Sequence, residues 1–201
     1  MLSKRILILA SIVSCLAAFV FAGYLFVKET HEHKIPIYGH VLPFELQDSQ
    51  NNRFTAQQLS GKIWVTDFFF TTCGGICPVL SSNMAKLYRS YKLEKDVAFV
   101  SISVNPENDT PQRLAEYAPR FAADPGECHF LTGKTADMKN ISVSGFKVGS
   151  IDEPMFHSSY FILVDRRGRI RGYYDGLDQA GIKALFKDIA QLLKEGRWHE
   201  S

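Results

Sequence analysis

Hydrophobic and polar positions follow strand-like periods at several places along the chain. Residues 44–55 hold two short alternations of apolar and polar residues around a turn-rich centre, which predicts a β-hairpin. The dense β-branched and aromatic runs at residues 62–70 and 97–104 are typical of strands buried on both faces. A third apolar run, residues 159–165, leads through a turn into residues 170–176, which predicts a second hairpin.

Helical patterns lie between and after these strands. One apolar stripe predicts a helix that begins near Ile76. Thr110 is a predicted N-cap, and Pro111 suits the first helical turn because proline lacks an N–H group. A closing helix is predicted over residues 178–194. This order of elements predicts one α/β domain over residues 42–201, with a parallel βαβ unit and an antiparallel closing hairpin. That is the thioredoxin-like arrangement with an added N-terminal β-hairpin.

An uncharged apolar stretch, residues 6–27, precedes this domain. As a helix it would rise about 33 Å, enough to cross a hydrocarbon layer of roughly 30 Å. It is longer than the core of a usual signal peptide, and no A-x-A-like cleavage site follows it, which favours one retained transmembrane helix. Lys4 and Arg5 predict that residues 1–5 are cytoplasmic and that the chain from Lys28 onward lies outside.

A second interpretation of this stretch concerns Cys15. The sequence "IVSC", which ends at Cys15, resembles a lipoprotein cleavage box, and cutting there would leave a lipid anchor. Both interpretations tether the domain to the outer face of a membrane. The absence of an Arg- and Ser-rich transit sequence favours a bacterial source. We therefore expect a single-pass protein of the bacterial inner membrane, with its domain on the periplasmic side.

Residues 28–41 have the composition of a polar stalk between anchor and domain. The stalk contains His31, His33 and His40, and His-rich tracts sometimes collect metal ions. Because these histidines lack a rigid spacing, a solvated linker is the favoured interpretation.

Composition and charge narrow the class of function. Of 201 residues, 46% are hydrophobic and 22% are charged, which is ordinary for a globular domain. The formal net charge is only +2 and no run of like charge stands out, so a nucleic-acid partner is not expected. Outside the cytoplasm disulfides can persist. If Cys15 lies in the membrane, Cys73, Cys77 and Cys128 remain, and at least one of these three is not in an internal disulfide.

The candidate chemistry lies in "FFFTTCGGICPVL", residues 68–80. Cys73 follows a buried strand and Cys77 begins a helix. The carboxyl ends of parallel strands are where α/β folds place their sites, and helix N-termini favour thiolates. Gly74 and Gly75 should give the linking loop a freedom that a Cβ would deny. The segment therefore predicts two ionisable sulfurs close together, whereas Cys128 is predicted to be a buried free thiol that binds no metal.

Several uses of this sulfur pair remain open from the residues alone. A structural disulfide is disfavoured because so short a loop gains little from cross-linking. A thiol redox couple of the thioredoxin type usually has two intervening residues and a proline opposite, whereas here there are three and no such proline. A peroxidase normally has a Thr three residues before the reactive Cys, where Phe70 and Gly74 stand. A metal site needs a third ligand, and His157, just before a strand, is the candidate. Thiolates with imidazole suit copper(I) and copper(II), while structural zinc usually takes four ligands.

Four ordered motifs resemble the Sco/SenC family of membrane-anchored copper proteins. "DFFFTTCGGICP" resembles the family's C-x-x-x-C-P motif, and "SVNPENDTP" resembles its S-V-D-P-x-x-D-T-P segment. "FLTG" and "HSSYFILVDRRGRIRGYYDG" resemble two further family segments, so the likeness extends over about residues 38–195. Asn105 stands where the family usually has Asp, and Phe156 stands where an Asp commonly precedes the ligand His.

The resemblance implies a function and a set of ligands. It implies a thioredoxin-like domain that binds copper through Cys73, Cys77 and His157. It further implies an assembly factor, rather than an enzyme, that delivers copper to the dinuclear copper centre of cytochrome c oxidase or reduces its thiols. The expected partners are the copper-bearing subunit of the oxidase and other copper carriers. The alternative is a membrane-tethered thiol-disulfide oxidoreductase that uses Cys73 and Cys77 without metal, and His157 discriminates between the two.

Overall fold

In the computed structural model, the structure describes residues 12–21, 23, 34–121, 128–148 and 158–197. The chain divides into two compact units, Met1–Ile35 and Pro36–Ser201. In the first unit residues 12–21 are helical. Among the described residues, no helix combines the length and apolar character needed to cross a membrane. About half of the predicted span, together with residues 28–33 of the predicted stalk, lies outside the described residues, so the anchor remains a prediction.

The second unit contains a mixed eight-stranded sheet. Its strands are β1 (Gly39–His40), β2 (Glu45–Asp48), β3 (Arg53–Thr55), β4 (Ile63–Phe69), β5 (Val97–Ser103), β6 (Cys128–Thr132), β7 (Tyr160–Val164) and β8 (Arg169–Asp175). Their order across the sheet is β1-β8-β7-β4-β5-β6-β2-β3. The β4, β5 and β6 strands run parallel, and every other neighbouring pair is antiparallel. The predicted α/β class, the parallel βαβ unit and both hairpins are confirmed.

The helices follow the predicted order. They are α1 (Cys77–Tyr91), α2 (Pro111–Tyr117), α3 (Thr135–Lys139) and α4 (Gln179–Arg197), with 3₁₀ turns at Ala56–Leu59 and Ala118–Phe121 and a π-helical turn at Asn140–Gly145. The predicted cap is confirmed, since the Thr110 side chain accepts a hydrogen bond of 3.3 Å from the backbone N–H of Arg113. The π-helical turn has no counterpart in the sequence prediction.

The two central strands are buried on both faces of the sheet. All seven residues of β4 and all seven of β5 are buried, which explains why their sequences are continuous apolar runs. On one face Phe68 packs edge-on against Phe146, with ring centroids 5.4 Å apart. On the other face Phe69 stacks on Tyr117 at 5.3 Å. The sheet is therefore covered on both sides where β4 approaches the cysteine loop.

The edge strand β1 lies within the residues predicted to be stalk. Gly39 pairs with Ile170 and His40 with Arg169, so this short strand covers the outer edge of β8. The backbone N–H of Tyr38 also donates to the Ile170 carbonyl at 2.9 Å. Two residues are too few to produce an apolar-polar alternation, and the pairing is made by backbone groups alone. The linker that precedes the folded sheet is therefore shorter than the 28–41 stretch.

Candidate metal centre

The two candidate sulfurs lie at the junction of β4 and α1. After β4 ends at Phe69 the chain makes a turn, in which the Cys73 N–H donates to the Phe70 carbonyl at 3.2 Å. Cys77 is the first residue of α1, and Pro78 occupies the first helical turn, as its missing N–H allows. Both cysteines are free thiols; Cys77 is fully buried and Cys73 is half-buried. The structure therefore brings together the two sulfurs that the sequence selects, with a hydrogen bond between their side chains.

The glycines of the loop do not have the backbone role predicted for them. Neither Gly74 nor Gly75 is among the residues with positive φ, and a Cβ at either position would meet no atom within 4 Å. Their backbone conformations are therefore open to other residues, and the loop here is exposed rather than tightly packed.

The Cys73 thiol is the more acidic of the pair. Partial burial opposes its ionisation, but the Cys77 thiol and the backbone N–H groups of residues 75–77 stabilise the anion and outweigh the burial. The pKa of Cys73 is consequently lowered from its ordinary value. N–H groups at a helix N-terminus point at such an anion because they have no partner within the helix.

The Cys77 thiol has the opposite character. Burial raises the pKa of Cys77 to about 12, and the hydrogen bond that it donates to Cys73, together with the nearby Asp67, adds to the effect. One sulfur is therefore exposed enough to react and ready to ionise, while the other stays protonated until a metal or a disulfide exchange removes its proton.

Asp67 is an acidic neighbour of the site that the sequence reasoning missed. It lies in the middle of β4, completely buried, on the face of the sheet that α1 covers. Burial raises the pKa of Asp67 to about 6, although the Ser101 hydroxyl on the adjacent strand acts against the shift. A charged residue within a largely apolar strand is the available signal, because such a group is rarely buried without a role.

A second missed feature is a hydrogen-bond network around Asp109. This residue follows β5 in the "NPENDTP" segment, and it is completely buried. Its carboxylate accepts hydrogen bonds from the backbone N–H and the hydroxyl of Thr71 and from the hydroxyl of Ser103. Thr71 belongs to the cysteine loop, so the network joins that loop to the segment after β5. No periodic pattern in the sequence indicates this network, because its three residues belong to separate segments.

His157, the predicted third ligand, lies outside the described residues. Its neighbour Ser158 is buried, and the Ser158 hydroxyl accepts a hydrogen bond of 3.0 Å from the Tyr160 N–H. Because β7 runs antiparallel to β4, β7 starts at the end of the sheet where β4 stops. Within the part of the chain that the structure describes, no group of three or more His, Cys, Asp or Glu side chains is arranged to hold a metal ion.

Cys128 lies apart from the pair. It begins β6, where it pairs with Phe99 of β5, and it is buried. Burial raises the pKa of Cys128 to about 12, and Asp67 contributes in the same direction. Such a thiol behaves as a small apolar side chain. Its predicted lack of a metal-binding role remains a prediction.

Comparison with known proteins identifies the family of this chain. A sequence profile of the SCO1/SenC family matches residues 37–194, most of the chain. The chain belongs to the SCO1/SenC family. Among its relatives is the SCO1 protein homolog of Bacillus subtilis, which is 30% identical over 162 residues that cover 78% of this chain and 84% of that protein.

Solved structures of the family share the fold. BsSco, described as a cytochrome c oxidase assembly protein of the Sco family with a disulfide switch, superposes with a TM-score of 0.71 at 29% identity, covering 81% of this chain and 98% of that one. ScoI of Arabidopsis thaliana, solved with copper bound, has a TM-score of 0.63 at 26% identity, covering 77% and 98%. The α/β sheet with its covering helices is therefore the fold of the SCO1/SenC family.

Proposed function

We propose that this SCO1/SenC family member is a copper metallochaperone that binds copper through Cys73, Cys77 and His157. We further propose that it assists assembly of the dinuclear copper centre of cytochrome c oxidase. The observation that carries the proposal is the reduced cysteine pair at the junction of β4 and α1, in which the sulfurs are close enough to hydrogen-bond. The copper bound to the Arabidopsis relative and the assembly role described for BsSco support the same assignment.

The chemistry of the donor set fits copper as cargo. Thiolates are soft ligands that select copper(I), and an imidazole also accommodates copper(II). Cys73 offers a thiolate readily because its pKa is lowered, whereas Cys77 must lose a proton to bind. Metal uptake should therefore release protons, and uptake should weaken as the pH falls.

The topology of the sheet supports His157 as the third ligand. β7 is hydrogen-bonded to β4 with Thr66 opposite Ile162, so the start of β7 lies at the end of the sheet that carries the cysteine loop. Ser158, which follows His157 directly in the chain, is buried in the domain. An imidazole from this segment would approach the pair from the neighbouring strand.

A thiol-disulfide oxidoreductase is the second candidate, and the unequal cysteines favour it. The accessible Cys73 thiolate would attack a partner's disulfide and form a mixed disulfide, releasing one partner thiolate. Cys77, once deprotonated, would then attack Cys73, leaving the partner as a dithiol and this protein as a disulfide. Two electrons pass to the partner. The resulting loss of both thiolates would also release copper, so the two functions exclude each other at any one moment.

The proposal is tested by copper titration of the reduced protein without oxygen. We expect wild-type protein to bind one copper ion, and we expect Cys73→Ser and Cys77→Ser each to abolish tight binding, because two thiolates are needed to hold copper(I). Cys128→Ser is the matched control and should keep the wild-type stoichiometry. Unchanged binding in either site variant, or halved binding in Cys128→Ser, would contradict the proposed ligand set.

We also propose that residues 6–27 form a retained transmembrane anchor that holds the domain on the periplasmic side of the bacterial inner membrane. The length and uncharged composition of this stretch support the proposal. Intact-mass measurement of protein extracted from membranes should give the full-length chain. A shorter product that begins at a lipid-modified Cys15 would establish the lipoprotein interpretation instead.

A further inference from the structure

We propose that Asp109 is a positioning residue of the cysteine pair, which fixes Thr71 and, through it, the loop that carries Cys73. The inference rests on the proposed function, because it assigns a role toward the site that would bind copper or exchange disulfides. Asp109 does not contact either sulfur in the described structure. It acts through the backbone that joins β4 to α1.

The contacts to the Asp109 carboxylate are numerous and buried. The Thr71 backbone N–H lies 3.0 Å from one carboxylate oxygen and 3.2 Å from the other. The Thr71 hydroxyl donates to the carboxylate as well, and the Ser103 hydroxyl donates at 2.6 Å. Asp109 itself is completely shielded from solvent. Hydrogen bonds to a carboxylate are about twice as strong as those between neutral groups. The Thr71 N–H, the Thr71 hydroxyl and the Ser103 hydroxyl, with the Asp109 carboxylate that accepts from them, are therefore a strong set of contacts, which we call the Asp109 clamp.

The base of the clamp is fixed to the central sheet. The Asp109 N–H donates to the Asn105 carbonyl at 2.9 Å, and the Asn105 N–H donates to the Ser103 hydroxyl at 3.1 Å. The Val104 N–H donates to the Phe69 carbonyl at 2.9 Å, which continues the β4–β5 pairing past the end of β5. Asp109 is thus held in a loop whose position is set by the two innermost strands.

The other end of the clamp lies two residues before Cys73. Beyond Thr71 the loop is half-buried or exposed until α1 begins, and the Cβ positions of Gly74 and Gly75 face open space. Side-chain packing therefore contributes little to holding this stretch. Cys77 is placed by α1, whereas the place of Cys73 depends on the turn at residues 70–73 and on the hydrogen bonds that anchor Thr71.

A carboxylate is chemically suited to holding Thr71, because the Thr71 N–H, the Thr71 hydroxyl and the Ser103 hydroxyl all donate hydrogen bonds to it. An amide at position 109 would present one oxygen and one NH₂ group. The Thr71 N–H reaches both oxygens and cannot reverse its direction, so Asp109→Asn turns one of these contacts into a repulsive pairing of two donors. We therefore expect the Cys73 loop to shift in that variant while the sheet remains in place.

The test measures the sulfur pair itself on folded, reduced wild-type and variant protein. The first readout is the equilibrium constant of the Cys73–Cys77 disulfide with glutathione, and the second is copper(II) affinity. Substitution of residues that orient metal ligands typically lowers metal affinity or activity 10–100-fold. We therefore expect Asp109→Asn to change each of the two constants by at least about tenfold. Asp48→Asn is the matched control, since Asp48 accepts two backbone N–H bonds at 2.8 Å in the distant β2–β3 turn. It should change neither constant.

A second pair of variants covers the case in which Asp109→Asn fails to fold. Thr71→Val removes the hydroxyl donor and keeps the backbone N–H, and Thr72→Val makes the same change at the next, exposed residue. We expect Thr71→Val to move both constants in the same direction as Asp109→Asn, by a smaller factor, and Thr72→Val to leave them unchanged. Wild-type constants in folded Asp109→Asn or, where that variant does not fold, in Thr71→Val would overturn the positioning role.

The two readouts separate this inference from the proposed function. If wild-type protein binds no copper, the copper proposal fails, yet the glutathione equilibrium still reports on the geometry of the cysteine pair. If wild-type protein binds copper and Asp109→Asn leaves both constants unchanged, the copper proposal stands and the role of Asp109 is refuted.

Discussion

At the scale of single residues, the two cysteines differ far more than their shared motif indicates. The spacing predicts that Cys73 and Cys77 lie close together, and they do. It does not predict that the Cys73 pKa falls while the Cys77 pKa rises to about 12, because that difference depends on burial and on the direction of one hydrogen bond. Environment, rather than residue type, makes the half-buried Cys73 sulfur the reactive group and the fully buried Cys77 sulfur its protected partner.

Asp67 gives a prediction about pH at the same scale. The folded pKa of about 6 exceeds the ordinary value of 3.8. The folded state therefore holds this proton more tightly than the unfolded chain, and the stability so contributed is present below pH 4 and lost as the pH rises through 6. At one pKa unit per 1.36 kcal/mol, the ionised side chain costs about 3 kcal/mol at neutral pH.

Asp67→Asn should remove that cost. We expect the variant to have a free energy of unfolding up to about 3 kcal/mol above wild type at pH 7.5, with the difference shrinking toward zero at pH 4. Urea denaturation of reduced protein at both pH values measures it. A variant that is equally stabilised at both pH values, or destabilised at pH 7.5, would show that burial does not control this carboxyl.

At the scale of elements, hydrophobic periodicity predicts the strands and helices that bury apolar side chains. It does not predict features that are formed by backbone pairing or by buried polar groups. The sequence predicts the buried strands β4 and β5 and the capped helix α2 because apolar runs and a Thr-Pro cap are local signals. It does not predict the two-residue strand β1 or the Asp109 network, because each depends on partners far away in sequence. The place of His157 before β7 selects it as a ligand, and this remains a prediction.

The contact between α1 and the end of β8 yields a prediction at this scale. A Cβ added to Gly176 would lie 2.6 Å from Leu80 Cδ2 and 2.9 Å from the Phe161 ring, both buried, while the Asn83 amide donates to the Gly176 carbonyl at 2.8 Å. Overpacking of this kind costs roughly 1–3 kcal/mol. We expect Gly176→Ala to lower the free energy of unfolding by that amount in urea titrations. Gly74→Ala, which meets open space, is the control and should be neutral; equal stability of both variants would refute the close packing.

At the scale of the whole molecule, the proposed site gathers segments that lie far apart in the chain. The cysteine loop follows β4, the Asp109 segment follows β5, and His157 precedes β7. Because β4 and β5 are parallel and β7 is antiparallel to β4, the ends of β4 and β5 and the start of β7 lie at one end of the sheet. Carboxyl ends of parallel strands are where α/β folds assemble their sites, and the cysteine loop and the Asp109 segment each follow such an end.

His157 is proposed to complete the copper site with the two cysteines, and the copper(II) affinity of His157→Ala tests this claim. Two thiolates can hold copper(I), but copper(II) needs more ligands, so the variant should lose copper(II) affinity while a competing chelator finds copper(I) affinity nearly unchanged. His40→Ala, an exposed histidine of β1, is the control and should match wild type. Equal copper(II) affinity in wild type and His157→Ala would contradict the claim, and full disulfide-reducing activity in that variant would then favour the oxidoreductase.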